Sequence, residues 1–114
     1  MKYLALSLLA IGILSLSSCK KENPQLGDPP SDADAMFSHA PTDTNDNIIE
    51  FTAANPTMVN IWDFGNGLKG EGTNVHAIYP NAGTYTVTLN VFNKGGSKSS
   101  SQEIVIDQTD LSLL

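Results

Sequence analysis

A chain of 114 residues with twelve acidic side chains, six lysines and no arginine carries a formal charge of −6. That balance excludes a nucleic-acid binder, which needs a basic stripe to neutralise phosphates, and it lacks the guanidinium that holds carboxylates bidentately. A single cysteine excludes an internal disulfide, so one hydrophobic core must hold whatever domain forms.

The chain opens with Met1-Lys2 and an almost unbroken apolar run from Tyr3 to Leu16. This run is short for a bilayer span and is followed at once by small residues, which marks residues 1–18 as a cleavable signal peptide. Leu16-Ser17-Ser18-Cys19 resembles a bacterial lipobox. The resemblance implies cleavage before Cys19 and a diacylglycerol on its thiol, so that the partner at this end is a membrane; the other reading is an ordinary secretory signal. From Lys20 to Asp32 proline, glycine and charge dominate and nothing apolar repeats. Residues 19–32 therefore read as a lipidated, extended tether. Lys20-Lys21-Glu22 resembles the charged export signal of Bacteroidetes surface lipoproteins, which implies a surface-exposed outer-membrane location. A solvated spacer facing the periplasm is the alternative.

Residues 33–107 divide into strands separated by turn residues. Ala35 to His39 is the first, closed by Pro41 and the turn from Asp43 to Asn47. Ile48 to Ala53 follows with Ile49 and Phe51 alternating against Glu50 and Thr52, and Asn55-Pro56 breaks it. Met58 to Phe64, a short edge piece at Leu68 to Glu71, and Val75 to Tyr79 come next. Thr84 to Asn93 is the longest strand, Lys94-Gly95-Gly96 turns it, and Ser97 to Ile106 completes the set. Residues 108–114 form a tail or linker with an apolar tip. No stretch outside the signal peptide repeats apolar residues at 3.6, so no substantial helix is expected. Six or seven antiparallel strands at this spacing make an all-β sandwich of two facing sheets.

Trp62 and Phe64 lie two apart and share one strand face, as do Tyr85, Val87, Leu89 and Val91. These six are the expected core. Gly65-Asn66-Gly67 turns the chain after Phe64, with Asp63 and Asn66 placed to accept backbone hydrogen bonds there. The spelling Trp62-Asp63-Phe64-Gly65-Asn66-Gly67, then Tyr79-Pro80-Asn81-Ala82-Gly83-Thr84-Tyr85-Thr86-Val87-Thr88-Leu89, resembles the PKD domain. That family is an immunoglobulin-like module of bacterial surface proteins and polycystin-type ectodomains. The resemblance implies a buried Trp62 and a Tyr85 acting as the tyrosine-corner residue.

No catalytic constellation emerges. Cys19 is consumed by lipid, and His39 and His76 lack the spacing of a zinc site. Asp43-x-Asn45-x-Asn47 imitates the start of a calcium loop, but Ile48 replaces its glycine and Ala54 its bidentate glutamate. A turn of side-chain-to-backbone bonds is the expected role. The chain therefore reads as no enzyme, with no metal and no cofactor. Facing outward, Val59, Ile61 and Phe92 form a candidate contact patch flanked by Thr86, Thr88 and Asn90, which suits a protein partner or a polysaccharide. So small a sandwich is expected to act as a monomeric module and to leave no room for a small-molecule pocket. The functional expectation is a non-catalytic cell-surface lipoprotein whose module makes such contacts or serves as a spacer. Its alternative is the anchoring part of a longer glycan-binding or glycan-degrading surface protein.

Overall fold

The computed structural model describes residues 27–114. The signal peptide, Cys19 and Lys20-Lys21-Glu22 lie outside the described residues. Seven strands form: β1 (Phe37–Pro41), β2 (Ile48–Ala53), β3 (Val59–Asp63), β4 (Lys69–Glu71), β5 (Asn74–Ile78), β6 (Gly83–Asn93) and β7 (Gly96–Ile106). They assemble into a three-stranded sheet ordered β1-β2-β5 and a four-stranded sheet ordered β4-β3-β6-β7. Every pairing is antiparallel. The result is an all-β, immunoglobulin-like sandwich of seven strands. Its only helical pieces among the described residues are two single 3₁₀ turns, Ala33–Ala35 and Leu111–Leu113. Ala35 thus belongs to a turn before the first strand, which starts two residues later than the sequence suggests.

Period-two alternation explains which side chains meet between the sheets. Phe37, Ile49, Phe51, Ala53 and Ala77 come from one sheet, and Trp62, Val87, Leu89, Val91, Ile104 and Ile106 from the other, with Ala35, Phe64 and Tyr79 beside them. Trp62 has no exposed surface. Phe37 meets it edge-on at 5.1 Å between ring centroids, and Phe51 and Phe64 pack at 5.6 Å from one another. Burying rings in offset and edge-on pairs adds to their area term. The indole N–H donates to the Gly72 carbonyl at 2.8 Å, so the buried tryptophan leaves no orphan donor. Tyr85 departs from expectation: it is half-buried at the core's margin, and Tyr79 is the tyrosine sealed inside.

The register gives the sandwich two poles. Asn93 faces Gly96 at one end of the β6–β7 hairpin and Gly83 faces Ile106 at the other. Val59 opposite Phe92 sets β3 into the same frame. The described chain enters at the hairpin-loop pole, where the Asn93 side chain donates to the Asp28 carbonyl at 3.0 Å. It leaves from the opposite pole after Ile106.

Residues 28–37 pack as a strap along the hairpin, so the tether expected to run free to Asp32 is attached from Asp28 onward. Pro30 and Ala35 are buried. Lys98 pairs with Asp32 at 2.9 Å, Gln102 donates to the Phe37 carbonyl at 2.7 Å, and the Ser100 hydroxyl donates to the Ala35 carbonyl. Lys98, Ser100 and Gln102 sit opposite Val91, Leu89 and Val87, on the inward side of β7. Polar residues hold inward positions there because the strap's backbone carbonyls need donors. Only beyond them, at Ile104 and Ile106, does β7 become apolar inside.

Candidate functional site

The motif residues build one end of the scaffold. Gly65 has φ 75°, and a Cβ there would strike the Thr86 carbonyl, so the turn after Phe64 needs glycine twice over. Asp63 Oδ1 accepts from the Gly65 N–H at 3.0 Å, and Asn66 Oδ1 accepts from the Leu68 N–H at 3.0 Å. Asn66 Nδ2 reaches across to the Ile78 carbonyl at 3.0 Å, while Gly67 completes the turn at φ 90°. The Tyr79 hydroxyl donates to the Phe64 carbonyl at 2.8 Å. Burial, then the neighbouring Tyr85 and Asp63, push this phenol well above its ordinary pKa. Tyr85 donates to the Asn81 carbonyl four residues upstream at 2.7 Å, its ring 4.6 Å from that of Tyr79 and lying over Gly83. Val87 and Leu89 are fully buried.

At the pole opposite the hairpin loop, Asn45 and Asn47 organise three chain segments. Asn45 Oδ1 accepts from the Asn47 N–H at 2.7 Å, and its Nδ2 donates to Asp110 at 3.0 Å. Asn47 is 6% exposed and its Nδ2 donates to the Tyr79 and Gln108 carbonyls at 2.9 and 2.7 Å. Further bonds, Asp110 N–H to the Pro80 carbonyl and Ala82 N–H to the Thr109 hydroxyl, seat residues 107–110 against the sandwich. Ser112 and Asn45 bonds hold the Asp110 carboxyl below the usual carboxylate range. The segment expected as a tail therefore begins as part of the fold.

Two surfaces remain for contact. The outer face of the four-stranded sheet is a regular grid: Val59 beside Phe92 beside Ser97, Ile61 beside Asn90 beside Ser99, Asp63 beside Thr88 beside Ser101. Val59 is 50% and Phe92 41% exposed. Ile61 is half-buried between Glu71 and Asn90 rather than open. Thr88 and Ser101 share a hydrogen bond of 2.7 Å, which fixes part of the hydroxyl array.

The second surface departs from the expectation that so small a sandwich leaves no room for a pocket. Where β1 and β7 part beyond the strap, an open groove of about 700 Å³ lies between the sheets at the pole opposite the hairpin loop. Pro41, Ile49, Ile104 and the exposed Val105 supply its apolar lining, with His39 and the chain around Asn47 and Asp107 at its sides. A volume argument alone missed it because the groove forms at an unpaired edge, outside the packed interior. His39 stands 6.1 Å from the Phe51 ring, whereas His76 lies 3.5 Å from Glu50 on the outer face of the other sheet. The two histidines are not brought together. Among the described residues no group of three or more histidine, cysteine or acidic side chains is arranged to hold a metal.

This architecture, with a buried tryptophan on β3 and a glycine corner at the start of β6, defines an immunoglobulin-like sandwich module. The chain belongs to the PKD domain family, whose model matches residues 37–106, the first residue of β1 to the last of β7. Among solved structures it is similar to the PKD1 domain of the Vibrio cholerae metalloprotease PrtV, at 26% identity and a TM-score of 0.56, over 71% of this chain and 99% of that one. The PKD1 domain of Vibrio anguillarum Epp shares the fold at 22% identity and a TM-score of 0.55, over 71% and 95% of the two chains. A third structure, from work on the promiscuous specificity of carbohydrate-binding modules of the β-sandwich superfamily, matches at 30% identity and a TM-score of 0.52. It covers 77% of this chain and 37% of that one. A comparison with curated proteins found no match.

Proposed function

We propose that the chain is a non-catalytic, lipid-anchored surface protein whose PKD module contacts a protein or polysaccharide partner through the outer face of its four-stranded sheet. One observation carries this reading: Val59 and Phe92, directly paired across β3 and β6, stay half or nearly half exposed beside a grid of threonine, serine and asparagine. An apolar pair set in hydroxyls matches a sugar ring, which has an apolar face and a hydroxyl rim, and equally a flat protein surface. Cys19 supplies the anchor in this reading.

A second reading makes the chain the anchoring arm of a longer glycan-directed protein. The carbohydrate-binding-module structure, of which this chain spans 37%, favours it. So do chain entry and exit at opposite poles, which suit a module strung between other parts.

Glycan-array and surface-capture binding by the protein, compared with Val59→Thr/Phe92→Thr, test the contact face. Both side chains are exposed, so the double variant is expected to keep its stability within about 1 kcal/mol and to lose binding. Retained binding would leave the outer face without a role and the module as a spacer.

A further inference from the structure

The two sheets have four edge strands, β1, β5, β4 and β7. An open edge is a row of unpaired N–H and C=O groups that accepts another strand, and proteins blunt such edges by shortness, proline or cover. β4 has three residues with Gly70 at its centre. β1 has five and ends in Pro41, which lacks an N–H, while Gln102 takes its Phe37 carbonyl. β5 has five, and Asn66 takes its Ile78 carbonyl. β7 runs for eleven residues.

Two backbone bonds decide which groups of β7 face outward. At the two ends of the β3–β4 pair, the Gly72 N–H donates to the Asn60 carbonyl and the Phe64 N–H to the Leu68 carbonyl. Even-numbered residues of β3 therefore bond toward β4, and Val59, Ile61 and Asp63 bond toward β6. Carried through the register, this alternation makes Val87, Leu89 and Val91 exchange bonds with Gln102, Ser100 and Lys98. The N–H and C=O groups of Ser99, Ser101, Glu103 and Val105 then point away from β6, along the free edge. The strap reaches β7 through the side chains of Lys98, Ser100 and Gln102. Among the described residues none of those edge groups has a backbone partner. The same reasoning, from the Thr42 N–H to the Ile48 carbonyl, leaves His39 and Pro41 facing outward from β1.

The groove lies where these two edges part. His39 and Pro41 line it from β1 and Val105 from β7, with the buried Ile49 and Ile104 between them. Its volume of about 700 Å³ holds about four residues of extended chain, given roughly 3.3 Å of rise, 4.8 Å between strands and 10 Å between sheets. Over that length β7 reads Glu103-Ile104-Val105-Ile106, with no proline, glycine or lysine to blunt it.

We propose that the groove takes a short extended segment of a partner protein, added antiparallel to β7 as a fifth strand of its sheet. The segment's backbone bonds to the N–H and C=O groups of Glu103 and Val105. Its residues opposite Ile104 and Ile106 turn inward onto Ile49, Ile104 and Pro41 and are apolar. Those opposite Glu103 and Asp107 stay outside, where a basic side chain meets each acid. A second copy of this chain is the poorer occupant: setting Val105 against Val105 sets Glu103 against Asp107, on molecules each of formal charge −6. Strand addition uses the sheet's edge, whereas the Val59–Phe92 contact uses its outer face, so the two can fail separately.

The test is a titration of the ¹⁵N-labelled protein with acetyl-Lys-Val-Thr-Val-Lys-amide. Saturable shifts centred on the amides of residues 101–107 are expected, with slowed exchange of the Glu103 and Val105 N–H groups. The same peptide N-methylated at threonine cannot donate to the Val105 carbonyl and should not bind. Val105→Pro removes an N–H that faces away from β6, so the β6–β7 ladder stays while binding falls about tenfold. Glu103→Lys leaves the backbone unchanged; it should weaken the lysine peptide about fivefold and make acetyl-Glu-Val-Thr-Val-Glu-amide the tighter of the two. Val59→Thr/Phe92→Thr should bind as the parent does. Equal binding of the N-methylated peptide, or undiminished binding by a folded Val105→Pro, would overturn the proposal. So would an unchanged order of the two peptides in Glu103→Lys. Shifts at the same amides on raising the protein concentration alone, with a dimer in sedimentation, would give the edge to a second copy and overturn the assignment to a partner segment.

Discussion

Tyr79 joins core and motif in one side chain, since its ring is sealed inside and its hydroxyl satisfies the Phe64 carbonyl next to the Gly65 turn. Its pKa is raised in the fold above the ordinary value of 10.0, so the neutral phenol is the form the fold stabilises. That stabilisation is complete below the unfolded value and is lost as pH climbs toward the folded one. Alkaline titration followed by phenolate absorbance should show Tyr79 ionising only together with unfolding. Tyr79→Phe should remove the coupled step and cost about 1–3 kcal/mol by stranding the Phe64 carbonyl. Trp62 offers a separate reading of the same core. As the single tryptophan it should emit at a blue-shifted wavelength when folded, and Trp62→Ala should cost about 3–5 kcal/mol. A red native emission would place the indole in water and contradict its burial.

The strands were legible because each carries its own evidence. Ile49 and Phe51, or Val87, Leu89 and Val91, alternate within a few residues, and the turn residues between strands mark the ends. The strap was not legible, since its partners Lys98, Ser100 and Gln102 are polar residues far away in sequence and leave no local period. The same reason hid the seating of residues 107–110 and the groove they help enclose. It also misplaced Tyr85 in the core: alternation assigns a face but does not say where along a strand the facing sheet ends. The strap gives a prediction of its own. A Cβ on Gly95 would lie 2.5 Å from the Asp28 carbonyl group, a backbone contact that cannot yield by rotating a side chain. Gly95→Ala should therefore lift the strap while leaving the core intact. Hydrogen exchange at Asp34, Ala35 and Met36, whose amides close the strap's 3₁₀ turn, should accelerate while the β6 amides stay protected. Equal exchange in both proteins would mean that the hairpin tip does not hold the strap. Acid should act in the same direction. Bonds from Ser31 and Asn55 hold the Asp34 carboxyl below the usual range, so their contribution is present above that range and fades as pH falls through the lowered value.

As a whole molecule, the sandwich differs between its ends: a hairpin pole where the described chain enters and Lys98 pairs with Asp32 of the strap, and a grooved pole where it leaves. If Cys19 carries lipid, as proposed, the hairpin pole is the one drawn toward the bilayer and the groove is turned away from it. Mass spectrometry of the mature N-terminus should find an acylated Cys19 as the first residue. A free thiol, or cleavage at another bond, would turn the chain into a secreted protein and remove this orientation.

The strap also dictates an order of events during synthesis. Its hydrogen bonds, Asn93 to Asp28, Ser100 to Ala35 and Gln102 to Phe37, each join residues 65 positions apart. The strap leaves the ribosome first and has nothing to bind until the last strand follows it. β6 and β7 can zip locally across their two-residue loop, but the earlier strands cannot complete either sheet without them. Contacts of such long sequence separation form late and slowly. A nascent chain stopped anywhere before β7 therefore has no closed core to resist being threaded through a narrow channel, and the finished one does.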